Sequence, residues 1–482
     1  MKRVDHGVVT VNPRADLPGG SHRADWAERA GRGLAGAIQR VTAGALGPYQ
    51  SAVVRIGFSG AWLLFLLREF PHRRELYGPD GPWSWGMARE LIANNHAFSA
   101  LLWSDSAVWF ECVYALAALA SLLLLVGWRV RATSVLFLVG VLSLQNRSVF
   151  MGDGGDNVVH LMAFYLVLTR CGQVWSLDAR RARRRATGTG PGGPGPTPDG
   201  AAPAPDTTDS GPDEAEAGPG GTEAGPGAAE TGAAETGAGG AHRPVAGRAA
   251  ADRVGPALWV VLGCGLPVAT SFAGRTGESW LLALFWLLWL AQGLWWVVCR
   301  YAPGQPRVLL DVLANLAHNA ALGVIMAEVC LIYATAGWYK VQGDRWQDGT
   351  ASYYPFRLDY FTPWPALSGL LAGSGLLIML ATYGTVVVQV AFPFTLFNRR
   401  VKNVLLAVMM LEHATIAVLL GLPFFSLAMI AADAVFLPTV FLVWAGHRLV
   451  RARDRLRPAR RGKVPGPREA DGEPAAPRTL VG

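Results

Sequence analysis

Eight ionisable residues stand inside apolar stretches of this chain: Arg55, Arg147, His160, His318, Glu328, Glu412, His413 and Asp433. An ionisable side chain in hydrocarbon costs on the order of 2.5–3.5 kcal/mol on insertion scales, so each marks either a structural pair or a polar cavity. Glu412 and His413 are adjacent and set an acid beside a base. Asp156 and His160 are spaced i,i+4, which places them on one helix face below the loop Gly152-Asp153-Gly154-Gly155-Asp156. Arg55 and His318 lie toward the opposite side and read as structural pairs. A further candidate is a lysine. The 43 basic residues include only four lysines, Lys2, Lys340, Lys402 and Lys463. Lys340 follows a long apolar segment and precedes a Gly-bearing loop with Trp346. Lysine, unlike arginine, loses its proton readily when desolvated, so Lys340 is a candidate base; an anchor at a span end is the alternative. Nothing has metal-ligand spacing, and neither a Walker motif nor a strand-borne GxGxxG is present.

The elements that must position these residues are membrane spans. Half of the 482 residues are hydrophobic and 16% are charged, against about 25% in soluble domains. Ten apolar segments approach the roughly 20 residues that a span needs: 50–67, 107–126, 133–148, 157–174, 256–273, 279–298, 308–336, 375–397, 403–420 and 425–446. With the N-terminus inside, the inner segments hold 32 Lys and Arg and the outer segments 8, the asymmetry of the positive-inside rule. The expectation is an all-α polytopic bundle of ten spans in a bacterial plasma membrane, with cytoplasmic N- and C-termini and an extracytoplasmic active face. The net charge of +8 resides in arginine clusters beside apolar segments, so it signals topology and no nucleic acid. The five cysteines read as small packing residues. A polar N-terminus with no apolar core argues against a cleaved signal peptide.

The chain divides into a cytoplasmic tail (1–49), a first helical part (50–178), a linker (179–253), an inserted hairpin (254–307), a second helical part (308–446) and a basic tail (447–482). The linker's Pro, Gly, Ala, Glu and Thr composition predicts disorder. Its leading run from Arg180 to Arg185 predicts an anchor at the inner surface. Trp83, Trp85 and Trp103 in the first long outer loop suit interfacial anchoring or a lid.

Three blocks carry a family resemblance. The first is Tyr333–x–x–x–Gly337–x–x–Lys340 followed by Trp346 and Gly349. The second is Asn146-Arg147-Ser148, a Gly-rich loop, a span and Trp175-Ser176-Leu177-Asp178. The third is His413 followed by Phe424-Phe425-Ser426; Arg55-Ile56-Gly57 adds a fourth point of similarity. In these residues the chain resembles the vitamin K-dependent γ-carboxylases and the horizontally transferred transmembrane (HTTM) domain proteins, most of all their sporulation-delaying protein B-like branch. The resemblance covers roughly 50–178 and 308–446. It implies Lys340 as the base toward a reduced, menaquinone-like quinone, with Lys340, His413 and Arg147 catalytic and His160, Glu412 and Trp346 lining the cofactor pocket. The carboxylase has histidine where this chain has Arg147. As partners the resemblance implies the lipid bilayer, a secreted peptide precursor and co-encoded maturation proteins.

Three functions stay open on the sequence: an enzyme that modifies a secreted peptide at the outer face, a non-enzymatic component of peptide toxin maturation or export, and a transporter. Two similar halves, which a transporter of inverted repeats would show, are not evident.

Overall fold

The computed structural model describes residues 20–186, 254–273 and 279–456, and among these no strand occurs. The first half comprises α1 (Gly20–Ala43), α2 (Pro48–Glu69), α3 (Arg73–Tyr77), α4 (Trp85–Asn95), α5 (Ala107–Val126), α6 (Val130–Arg147), α7 (Gly154–Leu168) and α8 (Leu177–Ala186). After residues outside the described set come α9 (Val254–Ala273), α10 (Ser279–Tyr301), α11 (Gln305–Gln342) and α12 (Asp344–Gln347). The chain continues as α13 (Pro365–Ala372), α14 (Gly375–Ala391), α15 (Arg399–Leu419), α16 (Pro423–Asp433) and α17 (Thr439–Leu456).

Among the described residues, seven helices are long and apolar enough to cross a membrane: α2, α5, α9, α10, α11, α14 and α15. Helices satisfy their own backbone groups, which hydrocarbon cannot do. The bundle turns large apolar side chains outward, among them Leu119, Leu287, Leu290, Leu380 and Val387. In water such a surface would drive association; in lipid it is solvated. α2 is the axis, with 56% of its apolar window buried, whereas α9 has 11% and faces outward. α6 and α7 are shorter; α7 has 15 residues.

The expected span 425–446 is not one straight helix. α16 and α17 meet at a 119° bend. Pro438 supplies no N–H to continue the ladder, and the Lys402 ammonium donates to the carbonyl of Phe436, which lies at the end of the broken helix. The pair counts at most as an eighth, broken crossing. The segment expected at 157–174 also ends early, at Leu168. Of the expected disordered linker 179–253, residues up to Ala186 are helical in α8, and 187–253 lie outside the described residues. Most of the N-terminal tail from Gly20 onward is helix α1. Asn315 Nδ2 donates to Thr42 O (3.0 Å), and Asn319 Nδ2 to Val41 O (2.8 Å) and Gly44 O (2.9 Å), so two amides of α11 hold the end of that helix.

Arg55, fully buried on α2, organises one end of the bundle. Its guanidinium donates to the carbonyls of Leu124, Leu125 (2.8 Å), Cys171 (3.2 Å) and Trp175 (2.8 Å). These are acceptors at the frayed end of α5 and in the α7–α8 loop, which a rigid five-donor fork can reach together. The Trp175-Ser176-Leu177-Asp178 block belongs to the same joint. Asp178 accepts from Arg129 N (3.0 Å) and Val130 N (2.9 Å) and so caps α6. His318 is also structural: Nε2 donates to Leu46 O (2.8 Å), and Nδ1 accepts from Arg170 N (2.9 Å).

The hairpin α9–α10 is closed by a reciprocal clasp. Trp259 and Trp289 stack at 4.2 Å, and each indole N–H donates to the other's carbonyl, at 3.0 and 2.9 Å. Gly263 and Gly293, each four residues after one of these tryptophans, make the room: a Cβ there would fall 2.7–2.8 Å from the opposite indole. The hairpin packs on the core through Phe285 against Phe98 (5.8 Å) and Trp280 against Phe164 (6.0 Å).

A buried polar site between α11, α14, α15 and α16

Tyr333, Gly337 and Lys340 stand at i, i+4 and i+7, one stripe of α11, and the stripe faces the bundle at Tyr333 and Gly337, which are buried. Gly337 is where α11 crosses α14; a Cβ would lie 2.7 Å from Val390 Cγ2. The absent side chain lets Tyr333 and Lys340 reach the neighbouring helices on either side of the crossing.

Below the crossing, Tyr333 (1% exposed) joins His413 (3%) of α15 to Asp433 (0%) of α16. The Tyr333 hydroxyl donates to Asp433, with its oxygen 2.9 Å from Oδ1 and 3.1 Å from Oδ2, and lies 3.0 Å from His413 Nε2. A hydroxyl has one proton. With Asp433 ionised and that proton on it, the bond to the imidazole runs from Nε2–H to the tyrosine oxygen. This tautomer leaves Nδ1 unprotonated, and Nδ1 is buried with no hydrogen-bond partner. Phe425 packs edge-on against the imidazole at 5.6 Å.

Above the crossing, Lys340 Nζ donates to Gln389 Oε1 (2.8 Å), and Gln389 Nε2 donates to Glu412 Oε1 (2.9 Å). The Gln389 amide thus stands between an ammonium and a carboxylate, its oxygen toward the cation and its N–H toward the anion. The Thr385 hydroxyl also bonds Glu412. Trp346 places its ring centroid 5.2 Å from Lys340 Nζ, a cation–π contact. Since Glu412 and His413 are consecutive, the two hydrogen-bonded groups are neighbours on α15. Outside the membrane segments, Asp348 accepts from Thr350 N (2.9 Å) and Oγ1 (2.5 Å); these bonds hold its carboxyl below the usual range and shape the loop beyond Trp346.

Four of the six expected site residues, Lys340, Glu412, His413 and Trp346, therefore assemble in one place. Arg147 and His160 sit elsewhere, on α6 and α7, and no hydrogen bond, ion pair or ring contact joins them to Lys340. His160 Nδ1 meets Gln145 Oε1 at 2.9 Å. Asp156 and His160 share a face of α7 as expected, and Asp156 serves a capping box: its carboxylate accepts from Asp153 N (2.9 Å) while Asp153 accepts from Gly155 N and Asp156 N. Between the two regions stands Phe425, against whose backbone Gly155 packs closely. The sequence reading did not single out Gln389 or Thr385. The available signal was a lone amide in the otherwise apolar stretch 375–397.

Compared with family models, with curated proteins and with solved structures, the chain matches none of them.

Proposed function

We propose that the chain is a membrane enzyme of the HTTM and γ-carboxylase-like kind that performs proton transfer at the outer face of a bacterial plasma membrane. The observation that carries this reading is His413: Nε2 lies 3.0 Å from the Tyr333 hydroxyl, and Nδ1 is buried with no hydrogen-bond partner, an acceptor when Asp433 is ionised. A base held in one tautomer by a Tyr–Asp pair is the arrangement that general base chemistry needs. Lys340 is the second base of the site, insulated from Glu412 by the Gln389 amide.

The site fits a reduced, menaquinone-like quinone on two counts. The orphaned Nδ1 of His413 would accept a hydroxyl proton, and Lys340 lies two turns farther along the same stripe of α11. An apolar hollow of about 490 Å³, open along the outside of the bundle and lined by Met326, Cys330, Ala334, Pro393 and neighbours, would take a hydrocarbon tail. His413, Lys340 and Trp346 would hold the head group. Bound there, it would supply two reducing equivalents for an oxygen-dependent reaction on a secreted peptide precursor. In its neutral form Lys340 would take the second hydroxyl proton, with Glu412 balancing the charge through Gln389 and the aromatic walls of Phe425 and Phe392 limiting water.

Ten crossings with both termini cytoplasmic complete this reading. α6, α7 and the bent α16–α17 pair join the seven long helices, and Arg129, Arg131, Arg170 and Arg307 cluster at the end opposite Lys340. A second reading is a non-enzymatic maturation component, favoured by the exposed Trp338 and Tyr339 that flank Lys340 as an interfacial anchor would. Lipid extracts of the purified protein separate the two. Co-purifying quinone in the wild type, lost in His413→Ala, supports the enzyme; quinone at background level in both supports the anchor.

A further inference from the structure

At the outer end of α6, Arg147 is 1% exposed, and among the described residues no carboxylate lies within ion-pair distance of it. Its Nη2 donates to two carbonyls of the first outer loop, Gly78 O at 2.6 Å and Trp83 O at 2.9 Å. Its Nη1 is buried and has no partner. Trp83, the residue whose carbonyl Arg147 holds, has its own indole Nε1 buried and unpartnered. Two orphaned donors therefore belong to two residues already joined by a hydrogen bond. Both are donors, and one carries a full charge.

Buried polar groups are nearly always paired, and a buried charge without a counter-charge is among the costlier arrangements in a protein. The carbonyl end of α6 and the two loop carbonyls offset part of the guanidinium charge. They leave it without an anion. Asp80, in the same loop, is exposed and makes no bond to Arg147. Phe150 packs edge-on against Trp83 at 4.9 Å and fixes the indole in the loop.

We propose that Arg147 and Trp83 form a carboxylate-binding site beneath the first outer loop. One carboxylate oxygen takes Nη1–H of Arg147 and the other takes Nε1–H of Trp83. The loop from Gly78 to Trp83, clasped by Nη2, closes over the bound group. The natural ligand is a carboxylate on the outer side, such as an acidic side chain or the C-terminus of a peptide. This site stands apart from the Lys340–His413 site and does not depend on its chemistry.

The test uses the full chain in phosphatidylcholine nanodiscs, with acetate as probe and chloride at equal ionic strength as reference. Acetate raises the unfolding temperature of the wild type above the chloride reference. In Trp83→Phe, which keeps an aromatic ring and removes the N–H, and in Arg147→Lys, which keeps the charge and removes the fork, the acetate shift falls to the chloride level. Arg89→Gln, on the exposed face of α4, keeps the wild-type shift. A saturation-transfer signal from acetate, present in the wild type and absent in Trp83→Phe, gives the same answer without relying on stability. An equal acetate response in Trp83→Phe and wild type, or no response in the wild type because water meets both donors, overturns the proposal.

Discussion

Replacing Tyr333 by Phe removes one hydroxyl and strands two groups. Asp433, 0% exposed, loses the donor whose oxygen stands 2.9 and 3.1 Å from its carboxylate oxygens, and His413 Nε2 loses an acceptor at 3.0 Å. Neutral bonds between membrane helices average about 0.6 kcal/mol in double-mutant cycles and reach about 1.7. A charged acceptor roughly doubles such a bond, and a stranded buried partner adds on the order of 1–3 kcal/mol. With the average bond, and Asp433 taken as ionised, the expected cost of Tyr333→Phe is therefore about 2–4 kcal/mol. A cycle with Asp433→Ala isolates the shared part, because the hydroxyl has little left to stabilise once the carboxylate is gone. The coupling energy should be about 2 kcal/mol, read from denaturant midpoints in mixed micelles. A coupling near or below about 0.6 kcal/mol would mean that Tyr333 and Asp433 form no more than an ordinary neutral contact. The tautomer assigned to His413 would then lose its support.

Other consequences follow from close contacts. Arg55→Lys keeps the charge but cannot span the carbonyls of Leu124, Leu125, Cys171 and Trp175; a loss of about 2–4 kcal/mol should appear as a lower unfolding midpoint. Gly337→Ala sets a Cβ 2.7 Å from Val390 Cγ2, and should cost about 1–3 kcal/mol. Gly337→Ala should also lower activity, because it separates Lys340 from Gln389. Gly263→Ala meets the Trp289 indole at 2.7 Å and should lower thermal stability by a similar amount while leaving quinone content unchanged.

What the sequence could show was set by the kind of signal each feature leaves. Long apolar runs are local, so every expected span has a helix within it. The break at Pro438 had a local signal in the proline itself, but the apolar run on both sides of it read as one span; the contact from Lys402 of α15 to Phe436 O, 34 residues apart, is one that no periodicity contains. Lys340, Glu412 and His413 were legible because charge in apolar sequence is costly. Gln389 was not, because an amide carries no charge and only its position between Lys340 and Glu412 reveals its part. Spacing put Asp156 and His160 on one face of α7 without showing what each one bonds. The i,i+4 relation is real, but the first turn of α7 needs acceptors for its free N–H groups, and the Asp153–Asp156 capping box takes that carboxylate. Arg147 was placed in the main site by the family resemblance of its block; its partners are the backbone carbonyls of Gly78 and Trp83, which sequence does not display.

The central claim is that Lys340 and His413 form a base site for a reduced quinone. The most direct measurement is oxygen-dependent oxidation of reduced menaquinone by wild-type and Lys340→Arg protein in proteoliposomes, at matched protein content. Arginine keeps the positive charge near Gln389 and Trp346 but does not release its proton. The account predicts turnover in the wild type and its loss in Lys340→Arg, with the unfolding midpoint preserved. Equal turnover in the two proteins, or none in a wild type shown to be folded, would contradict it.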